Sequence, residues 1–162
     1  MRDTGKNYNA YAAAELADAQ RRNKPFEDLQ VAVLEQAYMD YATAFKIVYC
    51  DEHENETKRT KATVKHYKKI YFKPRTLPAW VKNAEDYYLM LYRRRVRAAR
   101  TEISDIQRWC KSDDFELWST AISGEWLIKA AETAVTEWLH GKRKSYKPVI
   151  HVTAQYIPDF YS

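Results

Sequence analysis

From Leu29 to Val48 apolar side chains return every three or four positions: Leu29, Val33, Leu34, Ala37, Tyr38, Tyr41, Ala42, Phe45 and Val48. At 3.6 residues per turn this spacing lays them along one stripe of an α-helix, so residues 26–50 read as a long core helix, with Pro25 suited to its start. A stripe of that length has to be covered, and the remaining segments are read by what they offer to cover it.

The same period recurs along the chain. Tyr8, Tyr11, Ala12, Leu16 and Ala19 mark a short helix over 8–22 that is expected to stop before Asn23-Lys24-Pro25. Trp80, Ala84, Tyr87, Tyr88, Leu91, Val96, Ala99, Ile103, Ile106 and Trp109 predict a helix over 79–111, after a break in direction at Pro74 and Pro78. Ser112-Asp113-Asp114 supplies capping oxygens for a short helix expected to bury Phe115, Leu117 and Trp118. Ser123 reads as the cap of a further helix, whose apolar face is Trp126, Leu127, Ala130, Ala131, Ala134, Val135, Trp138 and Leu139, and Gly141 reads as its stop.

With only 3 Gly and 5 Pro the sequence lacks the turn punctuation of a β-sandwich. The predicted fold is therefore all-α: about five helices in an irregular bundle with an aromatic-rich core, one domain over 1–162. Residues 1–7 are expected to be a flexible N-terminus and 142–162 an extended C-terminal arm, where Val149, Ile150, Val152 and Ile157 suggest an extended or edge-strand conformation. A composition that is 46% hydrophobic and 14% aromatic is rich enough to offset the entropy of ordering, which excludes a disordered chain. The apolar runs are too short and too interrupted for a membrane span, and no secretory signal opens the sequence, so a cytoplasmic protein is expected. Cys50 and Cys110 are expected to be buried free thiols.

Charge is distributed unevenly. The formal net charge is +5, yet residues 51–56 are acidic and residues 58–75 carry Lys58, Arg59, Lys61, Lys65, Lys68, Lys69, Lys73 and Arg75 without a carboxylate. In a helix Lys61, Lys65, Lys68 and Lys69 gather on one side, a surface able to follow a phosphate backbone; the same run also serves as a solvated face balancing 51–56. Arg93, Arg94, Arg95, Arg97 and Arg100 form a second cluster suited to phosphate, or to internal pairing with Glu85, Asp86, Glu102 and Asp105. These twelve side chains, Lys58, Arg59, Lys61, Lys65, Lys68, Lys69, Lys73, Arg93, Arg94, Arg95, Arg97 and Arg100, are the candidate nucleic-acid contacts. Their positive charge is expected to converge into one field.

Candidate chemistry is sparse. Cys50 and His53 have a suggestive spacing but no second ligand pair, so no metal site is expected. Asp113-Asp114 and Glu52/Glu54 read as caps and dipole partners rather than an acid-base pair, and no glycine-rich phosphate loop occurs. No catalytic residue and no cofactor is assigned.

The stretch from Ala98 to Leu117, which contains Ile103, Ile106, Trp109, Ser112, Asp113, Phe115 and Leu117, continues into Ile122-Ser123-Gly124-Glu125-Trp126-Leu127-Ile128. It resembles a pattern in small accessory proteins of phages and mobile elements of Gram-positive bacteria, over the C-terminal third only. The resemblance implies a setting in which compact proteins act as DNA-binding regulators or as inhibitors of host defence, anti-CRISPR proteins included. The expectation is a non-enzymatic binding protein whose partner is nucleic acid or a nucleoprotein effector, with no membrane role. The rival expectation is a structural or assembly module that forms a homo-oligomer.

Overall fold

The computed structural model describes residues 4–72, 77–119 and 121–148, and within 4–24 only the side chains of Ala14 and Asp18. Among the described residues five helices follow one another: α1 (Thr4–Glu52), α2 (Lys58–Tyr71), α3 (Ala84–Cys110), α4 (Asp113–Trp118) and α5 (Gly124–Leu139). No strand occurs among the described residues. The fold is all-α, as the periodicity predicts.

The expected break at Asn23-Lys24-Pro25 is absent. A single helix of 49 residues, roughly 70 Å long, runs through Pro25 and starts at Thr4, inside the stretch expected to be flexible. Proline in a helix interior costs on the order of 3 kcal/mol, but its fixed φ is helical. Here the alanine-rich run before Pro25 and the anchored stripe after it hold the helix across that defect.

From Leu34 onward α1 is the central element. Leu34, Tyr38, Tyr41 and Ala42 pack with Ile106 and Cys110 of α3 and with Leu127, Ala131, Ala134, Val135 and Leu139 of α5. Ala44, Ile47 and Val48 pack with Tyr92, Val96 and Ala99 farther along α3. The low numbers of α1 thus meet the high numbers of α3, and the two helices run antiparallel. The core is aromatic-rich, with Tyr38, Tyr41, Tyr88, Tyr92 and Phe115 all buried. Buried hydroxyls find partners: Tyr41 donates to Glu132 Oε1 and accepts from Gln107 Nε2 at 3.3 Å.

Local chemistry sets the helix ends. Thr57 caps α2 by accepting from the Thr60 amide, and Asn83 caps α3 by accepting from Glu85 and Asp86. The third helix therefore begins at Ala84 rather than at 79, and Pro78 closes a turn through its carbonyl to Val81 N instead. Ser123 caps α5 by accepting from Trp126 N, whereas Ser112 turns its hydroxyl back to the Trp109 carbonyl and makes no cap bond to α4. Only Phe115 of α4 is buried; Leu117, expected inside, is 67% exposed, and Trp118 is half-buried. Gly141 follows α5 with φ of 77°, the left-handed conformation expected of its stop. Residues 142–148 are not helical, and most of the expected arm lies outside the described residues, as do Lys73, Pro74 and Arg75.

Candidate functional site

α2 is laid across the bundle. At its start Arg59 Nη1 donates to the Trp138 carbonyl at 2.6 Å and its guanidinium lies 4.8 Å from the Trp138 ring, against the end of α5. In its middle Thr60 and Val64 are buried and Tyr67 lies beside Lys46 of α1. At its end Lys68 sits 5.9 Å over the Tyr92 ring, and Phe72 meets Tyr88 edge-on at 5.8 Å, against the start of α3. Three helices hold its underside.

Helical phase then decides where the charges point. At 3.6 residues per turn, Lys58, Lys61, Lys65, Lys68 and Lys69 fall within a sector of about 100°, turned away from Thr60 and Val64. Arg59 lies on the other flank, which is why it reaches α5. Lys58, Lys61, Lys65 and Lys69 are exposed and make no ion pair among the described residues. The helix contains no carboxylate to offset them.

The arginines of α3 divide. Arg93, Arg97 and Arg100 share one flank within about 60°. Arg95 lies on the opposite flank, in a cavity of about 290 Å³ that it lines with Asp40, Thr43, Ile47 and Glu102. Arg94 points outward between them and is exposed. The five are not one patch.

The acidic end of α1 and the turn after it tie the two clusters together and quench part of each. Glu54 Oε1 is 3.3 Å from Lys68 Nζ, and Glu52 Oε1 is 3.0 Å from Arg100 Nη2. Of the twelve candidate contacts, Arg59, Lys68 and Arg100 are thus engaged inside the molecule, and Lys73 lies outside the described residues. Asp51 accepts from the Tyr92 hydroxyl at 2.9 Å; burial first, and then this bond, push the Tyr92 phenol above its ordinary range. Tyr49 is pushed up to about 12 by burial and by its hydrogen bond to Glu56.

Cys50 and His53, one turn apart, are separated by their surroundings: Cys50 is buried, and the His53 ring stacks on Tyr49 at 4.1 Å. Burial pushes the Cys50 and Cys110 thiols up to about 11. Lys46 is a half-buried cation. Burial pulls its ammonium down, but the Tyr146 hydroxyl at 2.9 Å and the Tyr67 phenol hold it above its ordinary value.

Trp80 is the residue that periodicity misplaced. Read as part of the buried stripe of a helix from 79, it lies in the turn before α3 and is 68% exposed. Ring contacts connect it to the end of α2: Trp80 to Tyr87 at 5.8 Å, Tyr87 to Tyr88 at 5.7 Å, and Tyr88 to Phe72. Three successive ring contacts thus link this exposed indole to Phe72, at the end of α2. The signal that marks it in the sequence is Asn83, a capping residue followed by Glu85 and Asp86, which starts the helix at Ala84 and leaves Trp80 before it.

No protein-family model matches this sequence, and no curated protein or solved structure resembles it at a significant level. Among the described residues no helix is long and apolar enough to cross a membrane.

Proposed function

We propose that this protein is a non-enzymatic binding protein that engages nucleic acid, free or within a nucleoprotein complex, through the outer face of α2. The observation that carries the reading is a helix whose underside is fixed on three neighbours while Lys58, Lys61, Lys65 and Lys69 stand exposed without a carboxylate among them. A polyanion that meets such a row relieves its self-repulsion, and release of condensed counterions supplies affinity. From Lys58 to Lys69 the row spans roughly 16 Å, enough for several consecutive phosphates.

Trp80 adds a stacking surface for an unpaired base beyond the end of the row, worth about 1–3 kcal/mol in proteins that read single strands. Arg93, Arg94 and Arg97, exposed on α3, offer a second basic group. The biological setting we favour is that of the phage and mobile-element accessory proteins, as a regulator or as an inhibitor of host defence of the anti-CRISPR kind. Anisotropy titrations of labelled single strands and duplexes test the reading: K61Q/K65Q/K69Q lowers affinity for both by roughly 100-fold, while Trp80→Ala weakens single strands selectively. Equal affinities for the unaltered and triple-substituted proteins would overturn it.

A further inference from the structure

Two helix faces of identical spacing meet along one side of the bundle. On α1, Asp40, Thr43, Ala44 and Ile47 stand at i, i+3, i+4 and i+7, and on α3 Arg95, Ala98, Ala99 and Glu102 repeat the pattern, so each set shares a face. Together they line the cavity of about 290 Å³. The space exists because the floor is built of small residues: Ala44 and Ala99 are buried and bring only a methyl group each, where larger side chains would fill it.

The antiparallel course of the two helices sorts the charges. Tyr92 donates to Asp51 toward one end of the pair and Gln107 to Tyr41 toward the other. In this register the start of one face meets the end of the other, which brings Asp40 to the end held by Glu102 and leaves Arg95 at the end held by Ile47. Seven residues of helix, roughly 10 Å, separate Arg95 from Glu102. A guanidinium thus stands at one end of the cleft and two carboxylates at the other. Among the described residues Arg95 and Glu102 make no ion pair or side-chain hydrogen bond, and Asp40 engages only Oδ1, which accepts from Gln36 Nε2 at 2.7 Å.

We propose that this cleft binds a small molecule with an ammonium and a carboxylate at opposite ends, a dipeptide or a short ω-amino acid. The Arg95 fork takes the carboxylate, Asp40 and Glu102 take the ammonium, and Ala44, Ala98 and Ala99 receive the apolar middle. At water's share of about 30 Å³ the cavity holds on the order of ten non-hydrogen atoms, the size of alanyl-alanine. Opposed charges select against ligands lacking either end, since a simple anion meets two carboxylates and a simple amine meets the guanidinium. The cleft lies on the flank of α3 opposite Arg93, Arg97 and Arg100, so it stands independently of the nucleic-acid reading of α2.

NMR titration of the full chain with alanyl-alanine and with δ-aminovalerate, read at the amides of residues 40–47 and 95–102, tests the site. Saturable binding of at least one probe is expected, and the tighter of the two names the source of the ligand. Acetylating the amine or amidating the carboxylate of the dipeptide weakens it about tenfold or more. Arg95→Gln weakens the free dipeptide by a similar factor and leaves the amide unchanged, whereas Glu102→Gln weakens it and leaves the acetylated form unchanged. Both positions are exposed, so the melting temperature of the two variants stays that of the unaltered chain. Absence of saturable binding by either probe overturns the proposal, as does binding that both substitutions leave unaltered.

Discussion

Gly124 and Cys110 touch backbone to backbone where α5 starts against the end of α3. A methyl group built on Gly124 would stand 2.6 Å from Cys110 Cβ and closer still to the Cys110 carbonyl oxygen. Both residues are buried, so neither helix has a flexible side chain to move aside. The glycine serves this close approach rather than an unusual φ.

Gly124→Ala therefore forces the two helix ends apart. Overpacking of this kind costs about 2 kcal/mol, which lowers the melting temperature of a domain of this size by roughly 5 °C. Thermal denaturation followed by circular dichroism checks it, and Gly141→Ala serves as the contrast: it has open space but a φ of 77°, so its cost is conformational and about 1 kcal/mol.

Pro25→Ala should stabilise. It restores the backbone hydrogen bond that proline denies the turn before it, and Pro25 is exposed, so no packing is lost. The expected gain is about 1–3 kcal/mol, visible as higher helical ellipticity near 222 nm and a higher melting temperature.

Arg59 is a structural arginine within a basic helix. Its guanidinium over the Trp138 ring and its bond to the Trp138 carbonyl fasten α2 to α5. Arg59→Ala is expected to lower stability by about 1–2 kcal/mol. Lys65→Ala, on the exposed sector, changes stability by less than about 0.5 kcal/mol. Chemical denaturation of both variants separates the two roles.

Alkaline pH should unfold the protein earlier than acid chemistry would suggest. Burial holds the Cys50 and Cys110 thiols at about 11, above their unfolded value near 9, so the stability they contribute is intact below pH 9 and lost as pH rises toward 11. The raised phenols of Tyr41, Tyr49 and Tyr92 extend the loss to higher pH. A melting temperature flat to about pH 9 and falling beyond it is the expected profile. At pH 8 both thiols should resist alkylation until denaturant is added.

Most of the fold was legible because its signals are local. Ser123, Gly141 and the apolar spacing of α5 each place one boundary or one face through chemistry that acts within a turn. Pro25 misled because its cost is set against a long helix whose later part, from Leu34 on, is anchored in the core, and that balance is not a property of the three residues around it. Trp80 misled because α3 starts only at Ala84, capped by Asn83, so the spacing that included it is not helical there, and Leu117 misled for a related reason. Helical spacing says which residues share a face, not whether another element covers it, and α4 turns Leu117 outward while burying Phe115. At the candidate interface the lysine row followed from helical phase alone. The ion pairs of Lys68 with Glu54 and Arg100 with Glu52, and the turning of Arg59 to α5, depend on how the acidic turn and α5 are placed in space.

Salt dependence of binding tests the central claim most directly. With Lys58, Lys61, Lys65 and Lys69 neutralising phosphates, the logarithm of the duplex affinity should fall with the logarithm of salt concentration at a slope of about −3.5, and Lys65→Gln should make that slope shallower by about 1. An affinity insensitive to salt, or a slope that Lys65→Gln leaves unchanged, would contradict a nucleic-acid role for the outer face of α2.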